Sequence, residues 1–349
     1  MSPESRMSLA STSSFAAFDA APFAYETAAF LQAIPPPVRS EAVVRITPKY
    51  GRGPVAVIVR YLWTGAAEGP TVVVQGGISA SRDVCRVGAS AGWWEELVGA
   101  GCAINLSCCR VLSIDWLSAG DLAGADAVSS EDQADALAAL LDALGIAQVR
   151  AFVGASYGAM VGLAFAARHG DRLQRLVAIS GAHRAHPLAT ALRAIQREIV
   201  RGGIANGDIG AALGLARQLA MTTYRGAEEF AERFDAEPEF RGGRFHFPVE
   251  DYLAAAGRKF VARFDAVRYL SLSESIDLHR IDAAAVRVPC DIVAVSSDRL
   301  VPASDLRALA ESVGATAHYH EIDSRYGHDA FLKETGAIAA LVANAVAAD

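Results

Sequence analysis

The chain has 349 residues, 52% of them hydrophobic, and carries a net charge of −7. That length suits one α/β core with an insertion, and that apolar content excludes global disorder. The acidic balance excludes a basic nucleic-acid footprint, and the one basic cluster, Arg193 to Arg201, is interleaved with Ile and Val and reads as a helix face.

Residues 1–36 are rich in Ser and Ala, end in the stiff Pro35-Pro36-Pro37 run, and read as a poorly specified tail. They lack a basic start followed by a continuous apolar run, so a secretory leader is not expected. The longest apolar runs are too short and too Gly-interrupted to span a bilayer. Ala42 to Ile46 alternates weakly, and the β-branched stretch Val55 to Trp63 reads as a strand. After a turn at Gly65 to Pro70, Thr71 to Gln75 reads as a buried strand that runs straight into Gly76-Gly77-Ile78-Ser79.

Ser129 and Asp132 have the spacing of a capping box. Leu137, Leu140, Leu141 and Leu144 follow at helical intervals, and Gly145 stops that helix. Next come a strand at Val149 to Val153, a sharp turn at Gly154 to Gly158, a small-residue helix at Ala159 to His169 and a strand at Leu176 to Ile179. This alternation predicts right-handed parallel crossovers, hence an α/β chain with a mostly parallel central sheet flanked by helices. From 183 to 286 helical patterns run on with no parallel strand, which predicts an inserted helical cap. Residues 37–182 and 287–349 are then the core. Past Pro289 a strand at Asp291 to Ser296, a helix at Ser304 to Val313, a strand at Ala317 to Ile322 and a final helix at Ala330 to Ala348 complete the reading.

Gly154-Ala155-Ser156-Tyr157-Gly158 is G-x-S-x-G between an apolar strand and a small-residue helix. That is the setting of a nucleophile elbow, and it makes the predicted class an α/β-hydrolase fold. A serine hydroxyl is a poor nucleophile until a base takes its proton. In this fold the order is Ser, then acid, then His. Asp298 and His328 each lie just past a late strand, and we expect them as acid and base. The remaining histidines fall inside a strand, at a helix end or in the cap. The oxyanion hole needs two backbone N–H groups, expected from Tyr157 and from the Gly77–Ile78 turn, with Ile78 the donor. The five cysteines are odd in number, two are adjacent, and none has metal-ligand spacing. Reduced thiols in a cytoplasmic protein, and no metal, are expected.

At this point the residues resemble the homoserine O-acetyltransferase family, as a divergent member. Tyr326-Gly327-His328-Asp329-Ala330-Phe331-Leu332 is similar to that family's Gly-His-Asp-Ala-Phe-Leu signature, and Ser296 to Pro302 resembles its acid-bearing loop. Leu215-Ala216-Arg217-Gln218, ending at Tyr224, resembles its cap helix. The resemblance implies a homoserine O-acyltransferase of methionine biosynthesis that works through an acyl-serine by ping-pong kinetics. It implies acyl-CoA as co-substrate and no bound cofactor. Arg217 would pair with the carboxylate of homoserine and Asp329 with its ammonium. Leu300 resembles the acetyl-using members, so acetyl-CoA is favoured over succinyl-CoA. Small-molecule partners, no nucleic acid, no membrane and a homodimer complete what the likeness implies. Departures exist. Gly76-Gly77-Ile78-Ser79 stands where the family has His-Ala-Leu-Thr, and Asn105 to Arg110 replaces a Gly-rich stretch. A serine esterase with the same three residues, a serine O-acyltransferase and a non-catalytic module on the fold remain alternatives.

Overall fold

The computed structural model describes residues 34–347. Of the predicted tail, residues 1–33 lie outside them, while Ile34 packs against the core. In chain order the first strands are β1 (Val38–Ile46), β2 (Val55–Gly65) and β3 (Thr71–Gln75). A short parallel pair follows, β4 (Val98–Gly99) with β5 (Ile104–Asn105), and then β6 (Arg110–Ile114). Helix α1 (Ser130–Ala143) leads to β7 (Ala151–Ala155), α2 (Tyr157–Arg168) and β8 (Leu176–Ile179).

Between β8 and the next sheet strand lie the helices α3 (Pro187–Asn206), α4 (Ile209–Tyr224) and α5 (Ala227–Phe234), then the hairpin β9 (Glu239–Arg241) and β10 (Arg244–His246), then α6 (Pro248–Val261) and α7 (Ala266–Leu278). This stretch, which we call the cap, carries no strand of the main sheet among the described residues and has an apolar cluster of its own, centred on Val200, Leu213, Phe260 and Tyr269. β11 (Cys290–Val295), α8 (Ala303–Val313), β12 (Ala317–Ile322) and α9 (Thr335–Ala347) close the described chain.

The main sheet has eight strands in the order β1-β2-β6-β3-β7-β8-β11-β12. β1 and β2 pair antiparallel, β2 meets β6 antiparallel, and every later pairing is parallel. The central strands β3, β7 and β11 are buried along their whole length, which is why they read as continuous apolar runs rather than alternating ones. Their pleat divides the core. Val73 joins the cluster under α1 and α2, while Val72 and Val74 join the one under α9.

Local chemistry explains the element ends. Ser129 Oγ accepts from Asp132 N–H, and the Asp132 carboxylate accepts from Ser129 N–H, so the capping box of α1 is complete with Asp in the acidic position. Several expectations need correction. β6 carried no strand expectation, although its five residues are mostly buried. The strand expected at Val149 to Val153 runs two residues later, to Ala155, because its parallel partners β3 and β8 pair through Gly154 and Ala155. The final helix does not start at Ala330. Residues Gly327–Leu332 form a 3-10 turn, and α9 begins only at Thr335.

Candidate active site

Ile78, Ser156, Asp298 and His328 lie beyond the carboxyl ends of β3, β7, β11 and β12, where a parallel sheet leaves an open crevice. Ser156 sits between β7 and α2 with φ 57° and ψ −119°, a conformation that costs a non-glycine residue about 1–3 kcal/mol. The glycines around it are required by close approach. A Cβ on Gly154 would lie 2.3 Å from the Gly158 carbonyl oxygen, and one on Gly158 would lie 2.3 Å from the Gln75 carbonyl oxygen. Gly158 N–H also donates to Gly76 O at 2.9 Å, tying the elbow to the turn after β3.

The three residues singled out from the sequence converge. His328 Nε2 is 2.8 Å from Ser156 Oγ, and His328 Nδ1 is 2.7 Å from Asp298 Oδ2. The other oxygen of Asp298 accepts the N–H groups of Leu300 and Val301 at 2.9 and 3.0 Å, so the carboxylate is fixed by its own loop. Burial pushes the His328 pKa down. The charge and hydrogen bond of Asp298, with Asp329 behind them, outweigh it, and the net shift is upward.

Tyr157 is the first residue of α2, so its N–H has no acceptor within the helix. The Ile78 N–H has none among the described residues. Its direction is set from behind. Gly77 O accepts from Ala80 N–H at 3.0 Å and from Trp116 Nε1–H at 3.1 Å. In a trans peptide the carbonyl and the following N–H point opposite ways, so the two bonds that fix Gly77 O also fix the direction of the Ile78 N–H. The Trp116 ring also stacks edge-on against Tyr157, with centroids 4.9 Å apart. The Tyr157 hydroxyl hydrogen-bonds the Ser275 hydroxyl of α7 at 2.6 Å. One buried indole therefore contacts both the Gly77–Ile78 turn and the first residue of α2.

The alpha/beta hydrolase fold family model matches residues 70–335. A homoserine O-succinyltransferase of Xanthomonas campestris pv. campestris is 51% identical over 314 residues, covering 89% of this chain and 85% of that protein. A homoserine O-acetyltransferase of Symbiobacterium thermophilum is 35% identical over 283 residues, 69% of this chain and 74% of that protein. The chain belongs to the α/β-hydrolase-fold homoserine O-acyltransferases. The crystal structure of homoserine O-acetyltransferase from Bacillus anthracis superposes with a TM-score of 0.82 over 90% of this chain and 98% of that one, at 16% identity, and agrees in fold.

In this family member the cap closes a cavity of about 430 Å³ over Ser156. Arg217, from α4, lines it. Its guanidinium lies 5.0 Å from the ring centre of Tyr224 and 4.9 Å from that of Phe260, and no carboxylate among the described residues pairs with it. Asp329 lines the same cavity and faces Arg225, with Nε 3.1 Å from Oδ2. The Arg225 Nε–H makes no aligned hydrogen bond, so the contact is one of charge. Burial pushes the Asp329 pKa up, opposed by Arg225, His328 and Arg217. Leu300 is buried at the cavity wall, and its backbone N–H is one of the two that hold Asp298.

Three features at or around the cavity went unread in the sequence. Trp116 lies two residues past the short strand β6, which the pattern did not reveal. Arg225 completes the Tyr224-Arg225-Gly226 step between α4 and α5, which docks on the loop before His328. A Cβ on Gly226 would fall 2.1 Å from Arg325 O, and one on Gly327 would fall 2.8 Å from Gly226 N. The basic cluster read as a helix face does lie on α3. Arg193 and Arg197, four apart and so on one side of the helix, turn inward onto Asp277 of α7. Asn105 to Arg110, by contrast, adds nothing to the cavity wall. All five cysteines are free. Among the described residues no helix is long and apolar enough to cross a membrane, and no group of three or more His, Cys, Asp or Glu could hold a metal ion.

Proposed function

We propose that the protein transfers an acyl group from acyl-CoA to the hydroxyl of L-homoserine through an acyl-Ser156 intermediate, a step of methionine biosynthesis. The observation that carries this reading is the continuous contact from Ser156 Oγ through His328 to buried Asp298 at the floor of a capped cavity. His328 Nε2 takes the proton of Ser156 as Oγ attacks the thioester carbonyl. The oxyanion meets the N–H groups of Tyr157 and Ile78. As the tetrahedral species collapses, the C–S bond breaks and the imidazolium gives its proton to the leaving CoA sulfur. In the second half His328 takes the homoserine hydroxyl proton, the new ester bond forms, and Ser156 Oγ leaves and recovers the proton. Asp298 keeps the imidazole in the tautomer that accepts at Nε2 and stabilises its charged form.

Arg217 would receive the α-carboxylate of homoserine, because a guanidinium with no carboxylate of its own is poised for a bidentate pair. Asp329 would meet the ammonium. The cap would keep water from the acyl-enzyme. For the donor we propose succinyl-CoA. What supports it is the 51% identical relative, a homoserine O-succinyltransferase, and an excess of arginines on the cavity wall. Leu300 alone spoke for acetyl-CoA. Acyl-CoA is a co-substrate, no cofactor is required, and the reaction is placed in the cytoplasm, with small molecules rather than nucleic acid or membrane as partners. A homodimer remains part of the proposal.

The test is thiol release from succinyl-CoA and acetyl-CoA with homoserine, serine or water as acceptor, with the donor and acceptor varied together. Parallel double-reciprocal lines and release dependent on homoserine are expected. Intersecting lines would remove the acyl-enzyme. Free-acid release that ignores homoserine would make the protein a hydrolase, and turnover with serine alone a serine O-acyltransferase.

A further inference from the structure

We propose that Arg193 binds the distal carboxylate of the succinyl group carried by Ser156, and so selects a dicarboxylic acyl donor. The inference rests on reading Ser156 as the acyl carrier. It starts from an imbalance of charge. Arg193 Nε and Nη2 both reach Asp277 Oδ1, at 2.9 and 2.6 Å, while Arg197 Nη1 takes Asp277 Oδ2 at 2.6 Å. Two guanidiniums thus share one carboxylate. The side chains of Arg193, Arg197 and Asp277 are 13%, 10% and 9% exposed, so one positive charge is left with little water to solvate it.

The two arginines differ in what they have left. Arg197 Nη1 is also bonded to Ser273 O and Oγ, and Arg197 does not line the cavity. Arg193 lines it. Its Nε–Nη2 edge is spent on Asp277, and its Nη1 has no partner among the described residues. Two N–H donors on a charged group of the cavity wall are therefore left without a protein partner among the described residues. The charge acts there, since Arg193 is among the groups that press the His328 pKa downward.

Homoserine does not neutralise this charge. It enters as a zwitterion, and its two charged ends are matched by Arg217 and Asp329. An acetyl group brings no charge. A succinyl group brings one carboxylate, tethered to the same serine by a short chain, and the charged Nη1 left over from Asp277 can donate to it. Asp277 holds the Arg193 fork in place, so the acyl group meets a pre-set donor rather than a flexible one.

The experiment measures kcat/KM for succinyl-CoA and acetyl-CoA at saturating homoserine, in wild type, Arg193→Gln and Arg193→Lys, with intact mass of the acyl-enzyme and a thermal melt of each. Wild type should form succinyl-Ser156. Arg193→Gln should lower the succinyl-to-acetyl ratio on the order of 100-fold, the cost of stranding a half-buried carboxylate. Arg193→Lys should recover part of that ratio, because it keeps the charge and loses the fork. Asp277 retains Arg197 in both variants, which preserves the packing of α3 on α7. An unchanged ratio, with both donors falling together, would make Arg193 structural and overturn the proposal. So would a loss confined to the KM of homoserine. A wild-type enzyme that acetylates Ser156 but never succinylates it would instead refute the donor reading, and the Arg193 role with it.

Discussion

Trp116 Nε1 donates to the carbonyl of Gly77 at 3.1 Å, from a ring that also packs on Tyr157. Two turns far apart in sequence are thereby braced by one side chain. Trp116→Phe keeps most of the packing and removes the hydrogen bond, while Ala80 N–H still holds Gly77 O. We expect kcat to fall by roughly tenfold to a hundredfold with little change in either KM, less than the loss of a whole oxyanion donor. Steady-state kinetics checks this. A variant with unchanged kcat would show that Ile78 N–H is aimed by something else.

The elbow is a packing constraint as much as a catalytic one. In Gly154→Ala the new methyl would lie 2.3 Å from Gly158 O, a backbone atom that cannot swing aside. Destabilisation of about 1–3 kcal/mol, with disturbed Ser156 geometry, is expected. Urea unfolding reads the first effect, and Ser156 labelling by a fluorophosphonate reads the second. Ser156→Ala should unfold like wild type, yet lose on the order of 10³-fold or more in rate.

The state of His328 sets the acid limb of the pH profile. The base must be neutral to act, and its pKa lies above the ordinary 6.5. Activity measured as kcat/KM should therefore fall as pH drops through a midpoint above that value. In Asp298→Asn the raising influence is lost and burial remains, so the residual activity should show a lower midpoint. A midpoint that stays put would detach Asp298 from His328 in the free enzyme.

Arg225 stands between Asp329 and Glu229, with Nη1 3.3 Å from the latter. Arg225→Gln leaves buried Glu229 and the largely covered Asp329 without that counter-charge. Asp329, already raised by burial, should rise further. The homoserine KM should then increase about tenfold, and more steeply as pH falls, since a protonated Asp329 cannot pair with an ammonium. The first half-reaction, followed by the burst of thiol, should change much less. Equal losses in both halves would place Arg225 with the fold rather than with the acceptor.

The amino-acid order by itself determined the sheet class, the elbow, and the acid and base that meet Ser156, while Arg217 and Asp329 were pointed to by the family resemblance. These are local signals. A glycine-flanked serine between an apolar strand and a small-residue helix has few other uses, and buried parallel strands read as apolar runs. Only the tertiary structure decided the rest. Trp116 matters because its indole reaches Gly77, 39 residues earlier, and Arg193 because Asp277, 84 residues later, turns it inward. Neither partner stands at a periodic spacing, so no pattern along the chain marks them. β6 was missed for a related reason. Arg110 and Ser113 interrupt its apolar run, and β6 becomes a strand by being held between β2 and β3.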